Sequence, residues 1–211
     1  MPGGDLAIKF PARMAISHLI SAGIELESCL PPINFLTSHE LEIIQHQINN
    51  GINAPMTSSI GRLFDAVSSL IGQRHIINYE GQAAIELEAI ADEKEFNTYP
   101  IEIYRNVINI KSLMKAIIND LKKDEKPSTI SAKFHNTISD VSVQACQIIK
   151  IETGIKHVAL SGGVWQNKFL TSRTLDKLRQ FGFVPLIHRI LPPNDSCISL
   201  GQVMVALHQN N

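Results

Sequence analysis

Apolar residues recur at helical spacing along most of the chain and at strand spacing in only a few short stretches. Met14, Ile16, Leu19 and Ile20 predict a helix from Pro11 to near Gly23, and Pro31-Pro32 reads as a break. Thr37 and Glu40 have capping-box spacing and open a helix carrying Leu41, Ile43, Ile44 and Ile48, which ends at Asn49-Asn50-Gly51. Ser58 or Ser59 caps the next helix, whose apolar face is Leu63, Phe64, Val67, Leu70 and Ile71, with Gly72 at its end. Gly81 stands at the foot of a helix running to about Asp92. Tyr99–Tyr104 alternates with period two and predicts a hairpin with Val107–Ile110. Lys111–Leu121 is an amphipathic helix. A longer one, roughly Thr129–Glu152, puts Ile130, Phe134, Ile138, Val141, Ala145, Ile148 and Ile149 on one core-facing stripe.

Beyond Gly154 the pattern changes. Val158–Leu160 is short and apolar, as a buried parallel strand would be, and a Gly162-Gly163 turn leads into a helix near Asn167. Gly182–His188 is a further strand, with Pro185 suggesting an edge. After the loop Leu191–Cys197, a last helix spans about Ser196 to His208 with Asp195 as its N-cap. Short strands among longer helices give a helix-rich α/β class: a mainly helical segment over 1–98 and an α/β segment over 99–211.

Composition narrows the function classes. The 211 residues are 44% hydrophobic with a formal net charge of −1, so a core is possible without staples, and no basic excess invites nucleic acid. Cys29, Cys146 and Cys197 are odd in number and widely separated, which suggests neither a disulfide framework nor a zinc knuckle. They fit a reducing compartment. No apolar run is long enough to span a membrane, and a cytoplasmic soluble protein is expected.

Three stretches carry candidate chemistry. Strand, diglycine turn and helix start form a recurrent phosphate cradle, although the same pattern serves plain αβ connections. Asp65 lies one helical turn after Gly61, where a carboxylate facing a glycine gap holds a sugar hydroxyl or a metal-bound water. A solvated helix aspartate is the simpler reading of the pattern by itself. Glu80 sits favourably near a helix N-terminus, and Glu86 and Glu88 cannot share one helix face as a paired acid/base site. His135, one step off the core stripe, reads as a structural residue.

Taken in order, Thr57-Ser-Ser-Ile-Gly-Arg-Leu-Phe-Asp65, Tyr79-Glu-Gly-Gln-Ala-Ala84, Ala132-Lys-Phe-His-Asn136, Leu160-Ser-Gly-Gly-Val-Trp-Gln-Asn167 and Pro192-Pro-Asn-Asp195 with Ile198-Ser-Leu-Gly-Gln202 resemble the C-terminal part of the hydrogenase maturation carbamoyltransferases, the HypF family. Pro2-Gly-Gly-Asp5 and Arg13-Met-Ala15 extend the resemblance over nearly the whole chain. It implies the helix-rich C-terminal lobe of an actin, Hsp70 and sugar-kinase type fold. It also implies an ATP-dependent transfer of a carbamoyl group, carried as carbamoyl adenylate, to the C-terminal cysteine of a HypE-like acceptor, on the way to a hydrogenase cyanide ligand.

Residue by residue, the resemblance implies that Asp65 contacts a ribose, Gly81 packs against the nucleoside, and Gly162 and Gly163 face phosphates. Asn167 then contacts adenosine, and Asp195 binds a divalent metal ion. Two departures stand out. The family's His-x-x-x-His metal motif has no counterpart, because no two histidines here are four apart. Ser196 and Cys197 stand where the family has two glycines after its aspartate. The expected partners are therefore the upstream HypF domains, or a second copy of the chain, together with the acceptor. A non-catalytic docking module that keeps the fold is the second reading. A role like that of the tRNA threonylcarbamoyltransferases is the third.

Overall fold

Thr37 shows how directly local sequence sets this architecture. Its hydroxyl accepts from the Glu40 N–H while the Glu40 carboxylate accepts from the Thr37 N–H, and the helix they open runs over Ser38–Asn50. The computed structural model describes residues 1–209. They fall into two compact units, Met1–Thr137 and the described residues from Ile138 onward.

The first unit contains α1 (Leu6–Lys9), α2 (Pro11–Ser21), α3 (Pro31–Phe35), α4 (Ser38–Asn50), α5 (Ile60–Leu70) and α6 (Gln82–Ala89). The hairpin β1 (Glu102–Tyr104) and β2 (Val107–Asn109), then α7 (Lys111–Lys122), follow. The unit also takes in the first part of α8 (Pro127–Thr153), within which the division falls. Its centre is α2 packed on α5, with α6 also packed against α5. Ile16, Leu19, Phe64, Val67, Leu87, Met114, Ile117 and Phe134 are all buried there, and the Phe64 and Phe134 rings meet edge to face at 4.8 Å.

The second unit holds the rest of α8, β3 (His157–Leu160), α9 (Lys168–Gln180), β4 (Val184–Ile187) and α10 (Ile198–Gln209). β3 and β4 pair in parallel, in the register Ala159 with Leu186. Val143, Leu160, Leu178 and Phe183 make the small core, with Val158, Trp165 and Leu175 packed on it.

The structure bears out the helix-rich α/β class and corrects several local expectations. Pro31-Pro32 is no break: Pro31 starts α3, where its missing N–H costs nothing. α6 ends at Ala89 rather than near Asp92, because the Asp92 N–H donates to the Ser128 carbonyl instead of continuing the helix. Ile149 is exposed and Ile148 only half-buried, so the core stripe of α8 fades at its C-terminal end. β3 is parallel as expected, but of its residues only Leu160 is buried. Among the described residues no helix is long and apolar enough to cross a membrane.

Candidate functional site

In the first unit the candidate residues sit on two packed helices. Ser59 caps α5 by accepting from the Arg62 N–H, which sets the helical phase that turns Asp65 inward. Asp65 is 1% exposed, against the simpler expectation of a solvated aspartate. Arg62 Nη1 lies 2.7 Å from Asp65 Oδ2. The contact is one of charge: Oδ2 makes no hydrogen bond among the described residues. Loss of water pushes the Asp65 carboxyl up to about 6, and the Arg62 charge opposes that rise only in part. A buried carboxylate oxygen without a hydrogen bond is costly to the fold, and it suits a ligand hydroxyl.

Gly81 is the N-cap of α6, with φ +80° and ψ −3°. That left-handed conformation is why a glycine stands there, since an added Cβ would meet only Ile85 Cδ1 at an ordinary 3.9 Å. His135 Nδ1–H donates to the Ser131 carbonyl at 2.8 Å, and the residue is fully buried, as a structural residue would be. Burial holds its pKa down to about 4.

In the second unit β3 delivers the chain to Gly162, whose φ of +105° and ψ of 156° are open to glycine alone. A short 3₁₀ turn, Gly163–Gln166, precedes α9. Asn167 caps α9 with its Oδ1, accepting from the Leu170 N–H at 2.7 Å, and is 9% exposed. The Gly162 N–H donates to the Pro193 carbonyl at 2.6 Å, which brings the diglycine turn and the Asp195 loop together. Ser161 Oγ meets His188 Nε2 at 3.2 Å beside them. A Cβ built on Gly162 or Gly163 would meet no atom within 4 Å, so packing does not explain these glycines.

Asp195 is not the N-cap that its position suggested. It opens a 3₁₀ turn, Asp195–Cys197, that precedes α10, with its side chain exposed, and Asn194 caps that turn, its Oδ1 accepting from the Ser196 N–H and hydroxyl. Among the described residues no group of three His, Cys, Asp or Glu side chains is placed to hold a metal ion.

A family model for the second subdomain of the Kae1-like carbamoyltransferase domain matches residues 1–202. The chain belongs to the HypF carbamoyltransferase family. It is 33% identical to a probable carbamoyltransferase HypF of Methanocaldococcus jannaschii, over 99% of this chain and 27% of that protein. It is also 33% identical to a carbamoyltransferase HypF of Synechocystis, over 97% of this chain and 28% of that protein. A crystal structure of full-length HypF in its phosphate- and nucleotide-bound form superposes with a TM-score of 0.89 at 40% identity, covering 98% of this chain and 32% of that one. The chain thus spans between a quarter and a third of the HypF proteins it matches.

Sequence reading missed the partners of these residues. Nothing in the spacing announced that Arg62 would pair with Asp65 in a buried setting, although i and i+3 do share a helix face. It also missed that the Pro192-Pro193 carbonyl side meets the diglycine turn, a contact 31 positions apart in the chain.

Proposed function

We propose that this chain supplies the second half of an ATP-dependent carbamoyltransferase site of the HypF type. In this reading it transfers a carbamoyl group from carbamoyl adenylate to the terminal cysteine of a HypE-like acceptor. The observation that carries the reading is Asp65: a buried carboxylate whose Oδ2 makes no hydrogen bond among the described residues and faces the Arg62 guanidinium alone, on a helix packed against the one that Gly81 caps. In the first unit Asp65 accepts from ribose hydroxyls and Gly81 lies against the nucleoside; in the second, taken by itself, the turn at Gly162 and Gly163 is open to phosphate with no Cβ in the way. A full-length relative of the same fold carries phosphate and nucleotide, which supports the assignment. Asp195 is this chain's contribution to a divalent metal, whose other ligands come from outside residues 1–211.

Calorimetric titration of ATP with Mg²⁺ tests the reading, into the chain alone and into its mixture with the preceding HypF domains. Binding that Asp65→Ala and Asn167→Ala weaken is expected. Equal affinity of both variants with the unaltered protein would remove the proposal.

A second reading, a docking module without catalysis, is favoured by α10. Val203, Val205 and Leu207 on that helix are all more than half exposed, and none of its residues is buried. Capture of the acceptor protein with no dependence on nucleotide would support it.

A further inference from the structure

Arg74 follows the end of α5, and its backbone is pinned there: the Gln73 and Arg74 N–H groups both reach back to the Ser68 carbonyl, at 2.9 and 3.4 Å. Its guanidinium forks onto the Glu86 carboxylate of α6, Nε to Oε2 and Nη2 to Oε1, each at 2.7 Å. Gln82, 6% exposed, donates from Nε2 to the same Glu86 Oε1 at 2.9 Å. Its own Oε1 accepts from the Asn78 N–H at 2.8 Å, which closes the Asn78–Gln82 turn. The chain of bonds therefore begins at the end of the Asp65 helix, crosses to α6, and ends on the loop that presents Gly81.

We propose that Arg74, Glu86 and Gln82 form a clamp that positions the Gly81 loop against the Asp65 helix for a nucleoside. The inference rests on the nucleotide reading given above. The geometry distinguishes the clamp from an ordinary surface pair. A half-exposed ion pair adds little stability, but a bidentate fork fixes two elements in both distance and rotation. Lysine cannot replace it, since an ammonium offers one point of contact where the guanidinium offers a plane. Gln82 has a different task from Arg74: it carries the constraint from a helix side chain into loop backbone. All three are positioning residues, and none of them touches the ligand in this scheme.

The test uses Arg74→Ala, Arg74→Lys, Glu86→Ala and the Arg74→Ala/Glu86→Ala double variant, in whichever form of the protein binds ATP with Mg²⁺, with Asp65→Ala in parallel. The expected result is a Kd raised about tenfold in each clamp variant, lysine included, with the melting temperature within about 4 °C of the unaltered protein. The double variant loses no more than either single one, because both break the same link. Amide exchange at Asn78 to Gln82 quickens in the chain without ligand. If Asp65→Ala weakens binding and the clamp variants bind within about twofold of the unaltered protein, the clamp is refuted and the nucleotide reading stands. If Asp65→Ala binds as well as the unaltered protein, the nucleotide reading falls and takes the clamp with it.

Discussion

The backbone N–H of Gly162 donates to the carbonyl of Pro193 across 2.6 Å, tying the diglycine turn after β3 to the loop that carries Asp195. That bond uses the N–H of the first glycine. In the proposed site the phosphate-facing role therefore shifts toward Gly163 and the start of the 3₁₀ turn, where the backbone heads into α9.

The two glycines separate strain from ligand approach. Gly162→Ala forces a side chain into φ +105° and is expected to destabilise the second unit by about 1–3 kcal/mol. Gly163 has no such φ, and a Cβ there meets nothing within 4 Å. Gly163→Ala is thus expected to leave the melting temperature unchanged while weakening ATP binding. Thermal denaturation and calorimetry on both variants check this.

Asp65 gives a pH signature. Its carboxyl is raised to about 6 in the fold from an ordinary 3.8, so between those values the native state holds a proton that the unfolded chain has released. Stability from this group is present in acid, is lost as pH rises through 6, and then stays level. The loss is on the order of 3 kcal/mol. Asp65→Asn removes the titration. Denaturant melts at pH 4.5, 6 and 7.5 are expected to favour the variant progressively up to pH 6 and by a constant margin above it, while its nucleotide affinity falls. A difference independent of pH would contradict the burial of this charge.

Two histidines act in the opposite sense. His18 and His135 are both held down to about 4 by burial, against an ordinary 6.5. The unfolded chain takes up protons on them before the native state does, so their contribution is full above 6.5 and disappears as pH falls toward 4. Each is worth roughly 3 kcal/mol at most. His135→Gln, retaining a polar group at the Ser131 carbonyl, is expected to flatten the acid limb of the stability profile measured by urea melts.

The apolar surface of the second unit predicts association. Val184, Leu186 and Ile187 of β4 and Leu200, Val203 and Val205 of α10 are exposed, and a two-stranded sheet leaves open edges. Light scattering across micromolar concentrations is expected to show self-association of the chain. Val203→Asp with Val205→Asp is expected to reduce it, and a monomer throughout would refute the expectation.

Much of the fold was legible in residue order. The capping box at Thr37 and Glu40, the Ser59 cap, and the hairpin across Arg105 and Asn106 depend on partners within a few positions, and each formed where the spacing placed it. Asp195 was misread because a 3₁₀ turn, Asp195–Cys197, intervenes before α10, and Asn194, one residue earlier with the same kind of oxygen, caps that turn. Gln82 and Glu86 stand four apart and their bond was readable as a helical pair. Their link to Arg74 was not, because it depends on how α5 and α6 pack.

The sequence by itself determined the helical majority, the parallel strand leading to the diglycine turn, and the family. These rest on periodicity, on caps, and on motifs that the local chain carries. Tertiary structure alone decided that Asp65 is a buried charge rather than a solvated one, that β3 and β4 stay largely uncovered, and that the Gly162 N–H is held by Pro193. Burial and long-range hydrogen bonds depend on which surfaces meet, and spacing along a chain does not encode that until the helices have packed.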